Sequence, residues 1–196
     1  MFGPDGRIVN KYIRCGTLFF AQSAKCATPF LISMLQRKQL TKEQALQKLR
    51  HYCAYQERSH VEVKEKLYSF GLRKQMVEES MAQLIEEDYL NEERFAIQFA
   101  GGKFRMKQWG RVKIKHELKQ KQVSTYCINK AMKEIDEADY EKTLNKLAKQ
   151  KWGLVKGAGV NGFVKMAKTT DYLLQKGYEP ELIRKVVAEL KEEKNE

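Results

Sequence analysis

The chain has few of the residues that break helices or build strands. Only three prolines and twelve glycines occur in 196 residues, and this shortage favours long helices over a turn-rich all-β fold. Runs rich in Val, Ile and Thr are few, and strict alternation of apolar and polar residues is rare, so strands are not indicated. The composition therefore predicts an all-α protein.

The sequence also lacks the motifs of catalysis and metal binding. The four cysteines (Cys15, Cys26, Cys53 and Cys127) form no Cys-x-x-Cys pair, and the three histidines lie at no spacing that would complete a zinc set with them. We therefore expect free thiols in a reducing compartment, with neither a metal nor a cofactor. Because phosphate-binding Gly-rich motifs, nucleophile elbows and convincing carboxylate pairs are missing too, we expect a protein that is not an enzyme.

Long hydrophobic runs are absent as well. No run approaches the ~20 residues that span a bilayer, and we expect a cytoplasmic protein with no membrane attachment. Residues 12–35, "YIRCGTLFFAQSAKCATPFLISML", loosely imitate a secretory signal, but Lys25 interrupts their apolar stretch. We expect residues 1–35 to be a mobile or artefactual N-terminal tail, with an export signal as the less favoured alternative.

What the chain does contain is an internal repeat. Five apolar markers recur at offsets of 51 and 106 residues, and all fifteen positions are apolar: Leu67, Leu72, Val77, Met81, Leu84; Leu118, Val123, Ile128, Met132, Ile135; Leu173, Tyr178, Ile183, Val187, Leu190. A break follows the first marker in each copy, at Gly71, Gln122 and Gly177. Glycine suits the left-handed residue that ends a helix, so Gln122 must either accept strain or use another geometry.

Capping signals place a further helix before each marker set. "TKEQ" at 41–44 and "SHVE" at 59–62 are typical of capping boxes, and Asn91 can cap a helix that begins with Glu92 and Glu93. The pattern predicts a tandem repeat of three three-helix modules over 41–90, 91–136 and 137–196, the last with a Gly-rich loop at 151–162. Because each module is too small for a large core of its own, we expect stacking into an elongated, curved monomer.

The net charge of +12 is concentrated in one part of the sequence. Residues 101–135 carry ten basic and two acidic side chains, a net of +8, whereas residues 41–100 carry nine and eleven, a net of −2. Between 103 and 121 a single acid, Glu117, accompanies eight basic residues: Lys103, Arg105, Lys107, Arg111, Lys113, Lys115, Lys119 and Lys121. Such a local excess indicates a surface for nucleic-acid phosphates or an acidic protein, although a merely solvated face is the alternative.

Two details refine this basic surface. Arg111, Lys115 and Lys119 recur at every fourth position, so we expect them to share one helix face. Trp109 could stack on a base together with Arg105 and Arg111, but packing at a helix junction is the favoured interpretation for this tryptophan.

Three motifs, taken in order, resemble the RecX family of bacterial regulatory proteins: "RSHVEVKEKL", "EDYLNEERFAIQFA" and "WGRVKIKHELKQKQV". The matching positions are Arg58, Ser59, Glu62; Leu90, Asn91, Phe95, Ala96; Gly110, Ile114, Glu117, Leu118. The resemblance extends over about residues 41–195. Glu92 stands where the family usually has Asp, and Gln122 stands where it often has Gly.

The resemblance implies a function in recombination. Members of this family bind the RecA filament on single-stranded DNA, lie in its groove and damp its ATPase and strand exchange. The expected partners are therefore the RecA filament and single-stranded DNA, touched directly or through the filament. The alternative is a helical nucleic-acid-binding module that acts through its basic patch without a RecA target.

Overall fold

The described residues of this computed structural model, 40–156 and 161–192, form nine α-helices and no strand. The helices are α1 (Lys42–Tyr55), α2 (His60–Ser69), α3 (Lys74–Glu86), α4 (Glu92–Lys107), α5 (Arg111–Gln120), α6 (Thr125–Lys133), α7 (Glu137–Leu154), α8 (Gly162–Lys176) and α9 (Pro180–Glu192). None of these described helices is long and apolar enough to cross a bilayer. The proposed tail at 1–35 lies outside the described residues. The all-α prediction is confirmed.

Local capping chemistry sets where several helices begin. The Thr41 and Ser59 side chains both form complete capping boxes with the third residue of their helices, Gln44 and Glu62. Asn91 accepts a hydrogen bond from the Arg94 backbone amide at the start of α4. These side chains satisfy amide donors that the first helical turn leaves without a partner.

The repeat is visible in both burial and backbone geometry. Fourteen of the fifteen apolar markers are buried, and the remaining one, Met81, packs partly buried against its cluster. Gly71, Gln122 and Gly177 all adopt positive φ, at 85°, 57° and 87°. Gln122 therefore keeps the left-handed geometry of its glycine counterparts and accepts the strain that a Cβ brings there.

The buried apolar residues form two separate clusters. The first cluster is built from α1 to α3 and Leu90, with Leu49, Val63 and Leu67 fully buried. The second cluster takes residues from every helix from α4 to α9, including Ile114, Leu144 and Leu173. The second and third three-helix segments thus share one core, which the spacing of their markers does not reveal.

Backbone contact locks those two segments together. The turn before α5 lies against the turn between α8 and α9: the Gly110 amide donates to the Lys176 carbonyl at 2.9 Å, and the Val112 amide donates to the Gly177 carbonyl at 3.0 Å. A Cβ built on Gly110 would lie 2.1 Å from the Gly177 oxygen. Only glycine permits this approach.

A buried tyrosine pair reinforces the same junction. The Tyr140 ring packs against Tyr178 with centroids 5.1 Å apart. Its hydroxyl accepts from the Arg111 amide at 3.1 Å and donates to Glu179 Oε2 at 2.6 Å. Burial, and then the neighbouring Glu179 carboxylate, raise the pKa of Tyr140. The hydroxyl therefore stays protonated and joins α5, α7 and the start of α9.

The Gly-rich loop is shorter than the sequence predicts. Helix α7 continues through Leu154 and α8 begins at Gly162, so the prediction of a loop is wrong for 151–154 and for 162. Trp152 explains the longer helix, because it lies one turn after Ala148 and is buried in the second cluster. Residues 157–160 of the predicted loop lie outside the described residues.

Candidate functional site

The basic residues lie on the last two turns of α4, on α5 and just beyond its end. Helix α4 ends at Lys107, its C-cap residue Gln108 takes a left-handed conformation with φ 53°, and α5 begins after Gly110. Arg105 and Lys107 occupy the last turn of α4, where the negative end of the helix dipole stabilises their positive charges. The abrupt change from an apolar to a basic sequence thus coincides with the end of a packed helix.

Four of the eight basic side chains are exposed and make no ion pair within the described part of the chain: Arg105, Lys107, Lys115 and Lys119. We call these four residues the outer cations. Lys115 and Lys119 lie one turn apart on α5, and the Arg105 guanidinium folds back over Gly101, where an added Cβ would be 2.9 Å from Nη1. Cations that form no ion pair with the protein's own carboxylates are available to an external anion.

Arg111 does not belong with the outer cations. Its guanidinium grips the Glu137 carboxylate through two hydrogen bonds of 2.6 and 3.2 Å and lies 4.3 Å from the centre of the Tyr140 ring. The hydrogen bond to Glu137 is the main cause of its raised pKa. The side chain is 18% exposed, so it serves the junction with α7. Arg111 and Lys115 line one cavity, as expected for residues on one helix face, but the Arg111 side chain is engaged by Glu137.

Trp109 and its neighbours form an internal stack. The Lys103 and Lys113 ammonium groups lie 5.2 and 4.7 Å from the centre of the indole, and the ring packs half-buried against the second cluster. Lys113 also donates to the Gln175 carbonyl at 3.3 Å. Cation–π contacts of this kind hold the two lysines to the protein's own surface. This arrangement matches the packing interpretation of Trp109 better than the base-stacking one.

Lys121 is the remaining basic residue, and it reaches the first three-helix segment. Its ammonium group donates to Glu62 Oε1 at 2.6 Å. Burial acts to raise the pKa of Glu62, but the hydrogen bonds from Lys121 and from the Ser59 amide outweigh it, and the pKa is lowered. Glu62 therefore stays ionised beside Lys121. No local sequence signal relates these two residues, which are 59 positions apart.

Two segments of the chain match family models of known three-helix domains. Residues 91–132 match the family model described as "RecX, second three-helix domain", and residues 138–187 match "RecX, third three-helix domain". The chain belongs to the RecX family. The solved RecX structure from Lactobacillus salivarius superposes with a TM-score of 0.68 at 21% identity, covering 76% of this chain and 96% of that one. A second structure, of a regulatory protein RecX, gives a TM-score of 0.67 at 16% identity, covering 86% of this chain and 80% of that one.

Curated RecX relatives are longer than the matched region. The regulatory protein RecX of Clostridium perfringens (strain 13 / Type A) is 30% identical over 129 residues, which cover 66% of this chain and 60% of that protein. The RecX of Bacillus thuringiensis (strain Al Hakam) is 27% identical over 147 residues, 74% of this chain and 53% of that protein. The alignments thus span between half and two thirds of these relatives.

Proposed function

We propose that this chain is a regulator that binds the RecA filament on single-stranded DNA and inhibits its ATPase and strand exchange, and so modulates recombination and repair. Membership of the RecX family supports the choice of partner. The observation that carries the proposal in this chain is the set of outer cations, exposed and without ion pairs among the described residues. We propose that it acts by binding and not by catalysis.

The chemistry of the outer cations suits this partner. A RecA–DNA filament presents phosphates along a repeating surface, and lysine and arginine side chains bind phosphate oxygens without reading a sequence. Lys115 and Lys119 project from a helix whose neighbouring face, at Ile114 and Leu118, is buried in the second cluster. Because the helix is already folded, binding has to order only the lysine side chains and not the backbone.

The decisive experiment is a RecA ATPase assay on single-stranded DNA with this protein titrated in. We expect hydrolysis to fall as the protein approaches an equimolar ratio to RecA. A parallel titration with bovine serum albumin controls for added protein. If hydrolysis is unchanged at equimolar protein, the proposed regulation is wrong.

The second candidate is a nucleic-acid-binding module without a RecA target, favoured by the same exposed lysines of α5. A salt titration separates the two functions. For binding to phosphates alone, the logarithm of the association constant falls with the logarithm of the salt concentration, with a slope of about 0.7 per phosphate contact on single strands. For binding to a RecA–DNA filament, we expect part of the affinity to persist at high salt concentration. Equal affinity for bare and RecA-coated DNA at every salt concentration would favour the second candidate.

A further inference from the structure

A groove lies where the first three-helix segment meets the second. Its volume is about 490 Å³, and it is lined by the turn between α1 and α2, by α2, α4 and α5, and by Lys121. Four cations line it: Arg58, Lys103, Lys107 and Lys121. Three carboxylates line it as well: Glu57, Glu62 and Glu117. Phe99 and the exposed Met106 supply apolar surface between these charges.

The charges in the groove are not equally engaged. Glu57 is held by Arg94 at 2.6 Å, outside the groove lining, whereas Glu62 is held by Lys121 at 2.6 Å, inside it. Arg58 stacks on the Tyr52 ring at 4.2 Å, and Lys103 faces the Phe99 ring at 5.1 Å. Within the described residues, Glu62 is therefore the carboxylate that directly neutralises a cation of this groove.

The junction that closes the groove is polar. The two apolar clusters are separate, and the ion pairs Glu57–Arg94 and Glu62–Lys121 connect the segments that hold them. Three of the five buried side-chain atoms without a hydrogen-bond partner in the described region lie in the turn between α1 and α2 or at the first residue of α2: Glu57 Oε2, Arg58 Nε and His60 Nε2. Buried polar atoms without a partner weaken the junction in which they lie. Glu62 and Lys121 belong to neither apolar cluster, so loss of their ion pair would leave both clusters in place.

We propose that Glu62 is an intramolecular competitor for nucleic acid, and that a phosphate of single-stranded DNA displaces it from Lys121 and enters this groove. The Glu62 carboxylate occupies the position, at charge-assisted hydrogen-bond distance from the ammonium group, that a phosphate oxygen would take. Lys103 and Lys107 line the same groove and would face the incoming backbone. This inference rests on the proposed function in one respect, namely that single-stranded DNA is a ligand.

Glu62→Gln tests the competition with little disturbance of the fold. Glutamine also serves as the third residue of a capping box, so the bond to the Ser59 amide is kept while the charge is removed. Because Lys121 is then released, we expect roughly threefold tighter binding of labelled oligothymidylate in low salt. The plot of log affinity against log salt concentration should also be steeper by about 0.7, since one more phosphate is contacted. Fluorescence anisotropy measures both quantities.

Two further variants isolate the contact. Glu65→Gln removes the same charge from an exposed position of α2 that makes no ion pair with any residue the structure describes, and it should bind oligothymidylate like the wild type. Lys121→Gln should bind more weakly, and adding Glu62→Gln to it should give no gain. Circular dichroism checks that all variants keep their helix content.

The outcomes separate this inference from the function on which it rests. If Glu62→Gln binds no tighter than Glu65→Gln, or if its gain survives in the Lys121→Gln background, Glu62 is not a competitor, while inhibition of RecA by the wild type can still stand. If the wild type binds no oligothymidylate, the inference also falls. If the wild type leaves the RecA ATPase unchanged, yet Glu62→Gln binds oligothymidylate more tightly than the wild type, the groove site stands and the RecA assignment falls.

Discussion

Gly110 permits the closest backbone approach at the junction between the second and third segments. Its φ of −76° is open to any residue, so space alone, and not conformation, requires glycine there. We expect Gly110→Ala to lower the free energy of unfolding by about 3 kcal/mol or more, because its Cβ would meet the Gly177 carbonyl. Urea unfolding followed by circular dichroism measures the loss.

The matched control is Gly153→Ala. This glycine lies within α7 and has no atom within 4 Å of an added Cβ. Alanine should stabilise the helix there by up to about 1 kcal/mol. Near wild-type stability of the Gly110 variant would contradict the described contact of the two turns.

The Tyr140 hydroxyl is a second single-group test at the same junction. Tyr140→Phe keeps the buried ring but leaves the Arg111 amide and Glu179 without this partner. We expect a loss of about 1–3 kcal/mol, since buried polar groups become unpaired. Thermal unfolding should show a lower Tm, while Tyr126→Phe, at a side chain 71% exposed, should change it little. Equal Tm values for the two variants would show that the hydroxyl contributes nothing.

At the scale of a helix, we propose that the exposed lysines of α5, Lys115 and Lys119, belong to the surface that binds the ligand. Lys115→Glu combined with Lys119→Glu should weaken binding to RecA-coated DNA at least tenfold in low salt, because two attractive charges become repulsive. The two lysines are exposed, so the melting curve should be nearly unchanged. Arg111 is left intact, since its reversal would break the bond to Glu137.

The control for this pair is an equal charge reversal elsewhere. Lys142 and Lys146 are exposed on α7 and lie outside the 103–121 segment. If reversing them weakens binding as much as reversing Lys115 and Lys119, the effect comes from net charge, and the α5 surface is wrongly assigned.

The contact between α1 and the end of α3 gives a pH prediction. Hydrogen bonds from Arg50, and then from Gln83, hold the pKa of Glu87 at about 2, below its ordinary value of 4.5. Because the folded pKa is the lower one, the contribution to stability is present above pH 4.5 and is lost as the pH falls toward 2. The wild type should therefore exceed Glu87→Gln in unfolding free energy at pH 7, and this difference should shrink steadily below pH 4.5 and be mostly lost at pH 2.

Glu86→Gln provides the matched comparison, because Glu86 is exposed on the same helix and makes no ion pair in the described structure. Urea unfolding across the pH range should show no loss of stability difference between the wild type and Glu86→Gln as the pH falls. A Glu87 difference that stays constant down to pH 2 would mean that the Arg50 contact does not stabilise the fold.

At the scale of the whole molecule, two apolar clusters predict two separately opening regions. Leu67 is fully buried in the first cluster, and Leu144 is 1% exposed in the second. Leu67→Ala should lower the opening free energy of amides in α1 to α3 by about 2–5 kcal/mol, with little change from α4 to α9. Leu144→Ala should produce the reverse pattern. Hydrogen exchange followed by mass spectrometry measures amide protection in both groups of helices. A uniform loss of protection would instead indicate one cooperative unit.

The elongated, curved shape expected from the repeat stays a prediction, and so do the exact boundaries of the three modules. Small-angle scattering of the full chain tests the shape directly. A scattering profile of a compact sphere would show that the repeated segments do not stack as the size argument requires.

The sequence by itself determined the helices and the register of the repeat. Apolar spacing, capping side chains and glycine break positions act within a few residues, so "TKEQ", the marker set beginning at Leu67 and the break at Gly71 all predict structure that is then observed. The sequence left the geometry at Gln122 open, and the structure shows it to be left-handed. These signals need no knowledge of the partner helix, since each follows from local backbone geometry.

Only the tertiary structure decided which basic residues are free. Arg111, Lys113 and Lys121 have the same local pattern as Lys115 and Lys119, but their partners lie between 26 and 62 residues away in sequence. The shared core of the second and third segments has the same origin, because the approach of Gly110 to Gly177 joins distant turns. Charge spacing gives the face of a helix, whereas chain folding determines what that face meets.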